Sequence, residues 1–394
     1  MNLSIKNSEK NKVLYEISFD KEEIQNEYKE VLNYYAKRVK VPGFRPGKAP
    51  LNLIKNIIGT ETIFDEIKKR LRDKTIEKVF NDVKNLFPSV DVDFSNFNFD
   101  NPIFYLTTYL IPNVNNIDLN EIVRELRQVT DEEIENRITL IKEEAKEFIP
   151  KEGAIEKGDY VILKYKFVEN EEEKEISLIV GENKNLLEEY VYGMNVGDKK
   201  DIEIQGKKII IEIIEVKKPK YPELDENFFN DFEVSNLDEF KEKVKNTIIK
   251  ERFNEEFIES FINKKLIEIN DFYVPKTYID DETTHRIEHL KEELLKSGIS
   301  LEEFLKARNE TIEDLRKNFD KSSQEQIKLD IILSLLSKDI EVSDDDIKFY
   351  FPDNYQYIIQ DNEQKERVES YIKKLKFIKN LIEEIKKSGG ADGI

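Results

Sequence analysis

The amino-acid sequence predicts a multidomain α+β protein: an N-terminal α+β domain, a small inserted β-rich domain and an all-α C-terminal body. At 394 residues the chain is too long for one ordinary hydrophobic core, and about two or three domains are expected. Charged residues make up 37% of it while glycine and proline number only 13 and 11, which favours long solvated helices. Between residues 158 and 217 the apolar spacing changes from helical to alternating, and then it becomes helical again.

The composition excludes several kinds of site. The chain has no cysteine, which rules out disulfides, thiolate catalysis and thiolate zinc sites. Residues 1–6 lack the apolar region of a signal peptide, and no stretch approaches the length of a membrane span. A cytoplasmic protein with no membrane partner is therefore expected.

The charge is unevenly distributed along the chain. The net charge of −20 argues against attraction of the whole surface to nucleic acid or to an anionic membrane. Residues 37–84, however, contain 13 Lys or Arg against 6 Asp or Glu, a net of +7, so the remainder carries −20 − 7 = −27. This pattern predicts a local basic patch on an acidic body.

The first domain is predicted from strand alternation and helix-start signals. Residues 13–19 alternate apolar and polar side chains and are expected to pair with the segment around Leu3 and Ile5. Asp20 and Glu23 have the spacing of a capping box for the first helix. The remaining predicted elements are helices over 51–58 and from Thr60 to an end at Pro88, and strands over 90–94 and 103–111.

A stiff loop joins the first two helices, with the sequence Lys40-Val41-Pro42-Gly43-Phe44-Arg45-Pro46-Gly47-Lys48-Ala49-Pro50. Its prolines fix φ, and its glycines supply turn conformations that other residues resist. Phe44 stands at the apex beside the cations Arg45 and Lys48. This arrangement suits an anchor for another macromolecule, because arginine binds phosphate or carboxylate while the ring adds apolar contact. The alternative, a rigid turn whose phenylalanine folds back onto the core, stays open on local physics.

The same loop resembles the ribosome-docking signature of the trigger factor family, bacterial chaperones that act at the polypeptide exit. In that family a Gly-Phe-Arg-x-Gly-Lys-x-Pro loop joins two helices of an N-terminal domain, and residues 43–50 match every fixed position. The resemblance implies a ribosome-binding site made of Gly43, Phe44, Arg45, Pro46, Gly47 and Lys48.

Residues 113–150 are predicted to form a long linker helix that belongs to the C-terminal body. Thr130 and Glu133 have capping-box spacing at its centre. A single apolar stripe on such a helix must be covered, and C-terminal sequence is the expected partner. The stripe runs up to Pro150 through Ile134, Ile138, Ile141, Ala145 and Phe148.

From Gly158 to Lys217 the sequence predicts strands over 160–167, 175–180 and 207–216, a helix over 186–192 and a Gln205-Gly206 turn. This order resembles the FKBP-type prolyl isomerase domain that the trigger factor family inserts at this point. Gly193 and Gly197 fit that fold's turn after the helix. The resemblance implies a pocket with aromatic walls that desolvates an X-Pro amide and lowers a barrier of roughly 18–20 kcal/mol, without a nucleophile or a metal.

The isomerase pocket is incomplete in this sequence. Tyr165 falls where the family has a pocket aromatic, but Lys164 replaces the usual acidic neighbour. The aromatic-rich flap expected between the last two strands is almost absent, so weak or absent isomerase activity is predicted. Tyr165, Tyr190 and Tyr192 are candidate peptide-binding residues, and ordinary core or rim positions are the alternative.

The sequence from Tyr221 onward is predicted to be helical. One long helix is expected to carry the stripe Phe240, Val244, Ile248, Phe257, Phe261 and Leu266 before a break at residues 270–275. Later helices are expected over 279–298, 315–336 and 368–385, with start signals at Ser300 and Thr311 and a frayed tail over 388–393. The resemblance implies protruding arms that enclose unfolded chains, and stripes that all close onto each other are the alternative.

No metal and no cofactor are expected. His285 and His289 stand four residues apart, but this spacing is common and no glutamate follows His285 as a zinc protease would require. Asp344–Asp346 suit a helix start and lack the glycine of a calcium loop, while Glu171–Glu173 suit a solvated hairpin tip. No phosphate-binding loop or Ser/His/Asp arrangement occurs, so ATP-independent action is predicted.

The sequence therefore predicts a ribosome-associated, ATP-independent folding chaperone. Its predicted parts are a ribosome-binding domain (1–112), the linker helix (113–150), a reduced FKBP-type domain (151–220) and a helical chaperone domain (221–394). Expected partners are the ribosome, through an exit-tunnel protein and ribosomal RNA, and nascent or unfolded polypeptides, with a weak homodimer left open. The alternative function is a prolyl isomerase whose main task is catalysis. An off-ribosome holdase is opposed by the missing signal peptide and the intact loop.

Overall fold

A computed structural model provides the structure, which describes residues 1–168, 173–182, 185–204 and 207–389. The chain forms two compact units: Met1–Ile122 with Glu255–Ser388, and Val123–Asn254 with Gly389. Two sheets and a long series of helices confirm the predicted α+β multidomain class. The boundaries of the four predicted parts of the chain stay predictions. No helix within the described ranges is both long and apolar enough to cross a bilayer.

The first unit begins with a four-stranded antiparallel sheet in the order β1-β2-β4-β3. The predicted pairing at the N-terminus is confirmed, since Leu3 lies opposite Ile17 and Ile5 opposite Tyr15. The inward side chains of the second strand, Tyr15 among them, are buried in the core of the N-terminal domain. The strands are β1 (Asn2–Glu9), β2 (Lys12–Ser18), β3 (Leu86–Asp93) and β4 (Ile103–Leu110).

Three helices cover this sheet: α1 (Lys21–Ala36), α2 (Leu51–Ile58) and α3 (Thr60–Asp82). The predicted capping box is confirmed, because Asp20 accepts from Glu23 N at 2.8 Å and Glu23 accepts from Asp20 N at 2.9 Å. The predicted helix end at Pro88 is wrong. Helix α3 ends at Asp82, and Pro88 lies in β3, where an edge position and a register shift between Leu86 and Val90 accommodate the missing N–H.

The predicted single helix over 113–150 is also wrong. Two helices, α4 (Leu119–Arg127) and α5 (Asp131–Glu144), are followed by strand β5 (Glu147–Pro150). Phe148 therefore lies in a strand, because the backbone after Glu144 pairs with residues 217–220 instead of continuing the helix. The predicted capping box at Thr130 is confirmed.

The β-rich domain contains a five-stranded sheet in the order β5-β9-β6-β7, with β8 paired to β9. Its further elements are β6 (Tyr160–Phe167), β7 (Glu173–Ile179), α6 (Glu188–Val191), β8 (Lys199–Ile204) and β9 (Lys207–Lys220). The three predicted strands and the short helix are thus confirmed. The predicted Gln205-Gly206 turn and most of the Glu171–Glu173 tip lie outside the described residues.

Helices α7 (Glu226–Asp231) and α8 (Leu237–Arg252) complete the second unit. They cover the stripe of α5, since Ile134 and Ile138 share a core with Phe240, Val244 and Ile248. The prediction that C-terminal sequence covers this stripe is confirmed.

Seven helices make up the later part of the first unit: α9 (Glu255–Ile269), α10 (Lys276–Lys296), α11 (Leu301–Arg308), α12 (Ile312–Leu336), α13 (Asp344–Tyr350), α14 (Tyr355–Ile358) and α15 (Asn362–Gly389). The predicted break over 270–275 and the capping boxes at Ser300 and Thr311 are confirmed. The predicted long helix through Phe257 is wrong, because α8 ends at Arg252 and α9 starts at Glu255. Residues 388 and 389 are helical, and residues 390–393 of the predicted tail lie outside the described residues.

Candidate docking loop

Two successive tight turns form the loop between α1 and α2. In the first, Phe44 N donates to Val41 O at 3.1 Å; in the second, Lys48 N donates to Arg45 O at 3.0 Å. Each turn has proline second and glycine third, and the two glycines have φ of +84° and +79°. Positive φ at the third position is the requirement of a type II turn, which the Pro-Gly pair meets without strain. The repeated sequence therefore encodes the loop backbone directly.

The base of the loop is fixed to the N-terminal domain. Gly47 N donates to Ala36 O at 2.8 Å, which satisfies a carbonyl at the end of α1. Val41 packs against the core and Ala49 is buried in it. Both ends of the loop are thus anchored while its middle points away from the domain.

The side chains of residues 42–48 are exposed to solvent. Phe44 keeps 44% of its surface accessible, so the ring does not fold back onto the core. The structure therefore does not contain the alternative, a rigid turn whose phenylalanine folds back onto the core. An exposed ring on a rigid double turn costs little entropy to immobilise, which is the property of a binding anchor.

The loop and its flanks carry a run of cations without acidic residues between them. Four of the cations on α3 are paired with carboxylates, Lys68 with Asp65, Arg70 with Glu66, Arg72 with Asp73 and Lys74 with Glu27, while Lys69 forms no ion pair with the described residues. By contrast, the cations from residue 37 to residue 55 form no ion pair with any carboxylate in the described part of the chain; they are Lys37, Arg38, Lys40, Arg45, Lys48 and Lys55. One of them, Arg38, lies over the Tyr34 ring at 3.7 Å. The part of the predicted basic region without carboxylate partners among the described residues therefore includes the loop and its two flanks, together with Lys69, Lys78 and Lys84.

The three candidate tyrosines of the β-rich domain are not equivalent. Tyr165 and Tyr190 pack against the core of that domain, and the Tyr165 ring meets Phe167 edge-on at 6.0 Å. Tyr192 is 51% exposed and does not belong to that core. Lys200 Nζ donates to Tyr190 O at 3.1 Å. Of the three side chains, Tyr192 is therefore the most exposed, and a peptide-binding role for any of them stays a prediction.

The remaining clusters of polar residues noted in the sequence make contacts with neighbouring side chains and helix ends. His285 and His289 are both exposed on α10, and His289 Nδ1 lies 3.8 Å from Glu293 Oε2. The interpretation of Asp344–Asp346 as a helix start is confirmed, since Ser343 and Asp346 form a capping box for α13. A Lys376 Nζ contact to Asp346 at 2.7 Å adds to that cap and holds the pKa of Asp346 at about 2.

Three curated relatives match most of the chain. A trigger factor from Thermus thermophilus is 28% identical over 86% of this chain and 86% of its own length. A trigger factor from Caldicellulosiruptor bescii is 26% identical over 86% and 84% of the two chains, and one from Clostridium botulinum is 26% identical over 88% of both. A solved structure from work on substrate recognition by the trigger factor chaperone aligns with 98% of this chain at a TM-score of 0.46 and 22% identity.

Two family models cover both ends of the sequence. The model described as bacterial trigger factor protein matches residues 1–141, which include the candidate docking loop, residues 40–50. The model described as its C-terminus matches residues 236–389. Neither of these two models covers residues 142–235, which hold the β-rich domain. Because the matched ranges make up most of the chain and agree with the curated relatives, the chain belongs to the bacterial trigger factor family.

Proposed function

We propose that this chain is a ribosome-associated, ATP-independent chaperone that binds nascent polypeptides at the tunnel exit and assists their folding and export. The observation that carries the proposal is the docking loop on the N-terminal domain of a trigger factor family member: an exposed Phe44 beside the cations Arg45 and Lys48, neither of which has a carboxylate partner among the described residues. Because the proposed partner is the ribosome, the proposed location of the protein is the cytoplasm.

The loop is suited to a macromolecular partner with both apolar and acidic character. The ring provides the apolar contact, and the two cations meet carboxylate or phosphate without first breaking an internal ion pair. The double turn holds the backbone that carries the ring and the cations in one geometry before binding. The contact is therefore preorganised.

Ribosome co-sedimentation tests the docking half of the proposal. The native protein is compared with a variant carrying Phe44→Ala, Arg45→Ala and Lys48→Ala, using purified non-translating ribosomes at low and moderate salt. We expect the variant to stay in the supernatant and the native protein to pellet less as salt rises, because exposed charges are screened. Equal pelleting of the two proteins would contradict the docking role.

The chaperone half rests on apolar side chains that the helical part of the first unit leaves in solvent. Leu295 on α10, Phe349 on α13 and Tyr357 on α14 are all more than 60% exposed. Weak burial of such side chains against unfolded segments needs no nucleotide. Suppression of aggregation of a chemically unfolded client, unchanged by ATP, is the expected result. Sedimentation equilibrium would test the weak homodimer in the same preparation.

A further inference from the structure

The four-stranded sheet of the N-terminal domain carries a groove of about 280 Å³ on the face turned away from α1, α2 and α3. Successive side chains of a strand point to opposite faces, so Tyr15 lies in the core under the helices and Leu14 lies on the outer face. Thr107 is the neighbour of Leu14 on β4, and Asp91 is the neighbour of Thr107 on β3. All four strands line the groove, through Lys6, Leu14, Asp91, Asp93, Tyr105 and Thr107.

The groove holds two negative charges that the sheet does not neutralise. Lys6 Nζ donates to Glu16 Oε2 at 2.8 Å and to Tyr105 OH at 3.0 Å, so this cation is already paired within the sheet. Asp91 and Asp93 form no ion pair with the described part of the chain. A ligand that carries positive charge therefore meets these carboxylates without displacing an internal partner.

Both carboxylates are oriented before any ligand arrives. Tyr109 OH donates to Asp91 Oδ2 at 2.5 Å, and Ser95 N donates to Asp93 Oδ1 at 2.8 Å. The hydrogen bond from the Ser95 backbone, with that of its hydroxyl, keeps the pKa of Asp93 below its usual value, so this group is ionised at neutral pH. The two aspartates stand two residues apart on β3 and therefore point to the same face. A cation that enters the groove meets two acceptors that need little reorganisation.

The floor beside the carboxylates is half-buried and mainly apolar or aromatic, formed by Leu14, Tyr105 and Thr107. The stem of a lysine or an arginine packs on an apolar surface of this kind while its charged head reaches an acceptor. The volume is below the ~300–1,000 Å³ of small-molecule sites, and two of the lining residues, Lys6 and Asp93, are exposed. The groove therefore suits one or two side chains of an extended segment and not an enclosed cofactor.

We propose that the groove binds unfolded client segments in which a lysine or an arginine lies next to an apolar residue. This inference rests on the proposed function, because it names a class of client segment for the same chaperone. Nucleic acid is disfavoured as the occupant, since two unneutralised carboxylates repel phosphate. Helices α1 and α2, which flank the docking loop, lie on the other face of the sheet, so a docked chain keeps the groove accessible to a client.

Photo-cross-linking on the full chain tests the groove directly. Asn7, which is exposed on β1 opposite Leu14, is replaced by p-benzoylphenylalanine. The probe is a biotinylated peptide of glycine, serine, leucine and lysine, added without ribosomes. We expect saturable labelling by this peptide, and much less labelling by the same peptide with glutamate in place of lysine, because the carboxylates of the groove repel it.

A charge-removing variant and a matched control then measure the role of the carboxylates. Asp91→Asn/Asp93→Asn removes both charges and keeps an acceptor oxygen at each position. We expect the half-saturating concentration of the lysine peptide to rise about tenfold, since two exposed ion pairs, each contributing a few-fold, are lost. Asp82→Asn/Asp100→Asn changes the net charge equally at two exposed positions of the same domain outside the groove. This control should bind the peptide as the native protein does, and both double variants should keep the native thermal midpoint.

Saturable labelling that the Asp91/Asp93 variant weakens and the control keeps supports the inference. Two results overturn it and leave the proposed function standing, provided that the native protein still protects an unfolded client from aggregation. They are no labelling from position 7 by the lysine peptide, and equal half-saturating concentrations for the two double variants. Labelling of a second copy of this chain in place of the peptide also overturns the inference. A native protein that neither protects a client nor pellets with ribosomes contradicts the proposed function, and the inference fails with it.

Discussion

Asn11, in the turn between β1 and β2, holds the backbone of Tyr273, which lies 262 residues later in the chain. Its Nδ2 donates to Tyr273 O at 2.9 Å, and its Oδ1 accepts from Tyr273 N at 2.7 Å. The same Nδ2 also donates to Leu110 O at 3.1 Å. The buried side-chain amide of Asn11 thereby forms the pair of hydrogen bonds that a neighbouring strand would otherwise form with the backbone between α9 and α10. It fastens the N-terminal sheet to the helical part of the first unit.

Loss of this amide should destabilise the first unit. Asn11→Ala leaves the Tyr273 N–H and two carbonyls without their partner, and about 2 kcal/mol of unfolding free energy is the expected loss. Urea unfolding measures it, and hydrogen exchange at residues 270–275 should rise in the same variant. Asn7→Ala, on an exposed position of β1, is the control. Equal stability of the two variants would contradict this role of Asn11.

The backbone of the docking loop is open to a substitution series at Gly43. A Cβ there would meet no atom within 4 Å, so any effect comes from the φ of +84° and not from a clash. Gly43→Val should weaken ribosome binding about tenfold, because a β-branched residue at positive φ costs roughly 1–2 kcal/mol. Gly43→Asn should bind more tightly than Gly43→Val, since asparagine tolerates this conformation. Native binding by the valine variant would show that the turn geometry is unimportant.

The loop could be predicted from sequence because its constraints are local. Proline and glycine fix the two turns without help from the rest of the chain. The α3 pairs of Lys68, Arg70 and Arg72 are with carboxylates one to four residues away, but the pairing of Lys74 could not be predicted, since it depends on a carboxylate that the tertiary structure brings near. The α3 cation Lys74 is paired by Glu27 of α1, 47 residues away, while Arg45 and Lys48 have no such partner within the described chain. The exposure of Leu53 and Ile57 likewise depended on which face of α2 meets the core.

The cap of α13 should make stability depend on pH at the acidic end. Hydrogen bonds from Lys376 and Ser343 lower the pKa of Asp346 from 3.8 to about 2. Because the pKa is lower in the folded state, the stabilisation is present above about pH 4 and is lost as pH falls towards 2. The gap in unfolding midpoint between the native protein and Asp346→Asn should therefore narrow over that window.

Asp345→Asn serves as the control for this titration. Asp345 is adjacent on α13, and its carboxylate makes no ion pair with the described part of the chain. The difference in unfolding midpoint between Asp345→Asn and the native protein should not narrow in the same way. A gap for Asp346→Asn that stayed constant from pH 5 to about pH 2 would contradict the assigned role of the Lys376 contact.

Isomerase activity should be a small fraction of that of an FKBP-type domain with a full flap. Strand β8 ends at Ile204 and β9 begins at Lys207, and these two residues pair with each other, so only two residues are available for a flap. The Tyr165 ring is engaged with Phe167 on the core side. Refolding of a proline-limited substrate measures the rate, with Tyr165→Phe as a conservative variant. Acceleration equal to that of a full-flap domain would contradict the prediction.

The helical body was predictable where a capping box or a glycine sets a boundary, as at Ser300 and Thr311, because those signals act within one turn. The break between α8 and α9 has neither a capping box nor a glycine, and its sequence signal is weaker: Asn254, a favoured N-cap residue, before Glu255 and Glu256. A continuous helix turns about 100° per residue, so nine residues from Ile248 place Phe257 on the opposite side. Grouping both residues in one stripe was therefore wrong. Because Phe257 is itself apolar, the sequence did not show that it lies on a different face from Ile248.

Alanine substitutions at Phe257 and Ile258, adjacent residues on α9, should accordingly differ in their effects on stability and on client binding. Ile258 is fully buried, and Ile258→Ala should lower the unfolding free energy by about 3 kcal/mol through the cavity it leaves. Phe257 is 43% exposed and stacks on Phe261 at 6.4 Å, so Phe257→Ala should cost no more than about 1 kcal/mol. In aggregation assays below the unfolding transition, Phe257→Ala should reduce protection of an unfolded client more than Ile258→Ala does. Of the two side chains, Phe257 is the one that offers apolar surface to the client. Equal client protection by Phe257→Ala and the native protein would remove this face of α9 from the client-binding surface.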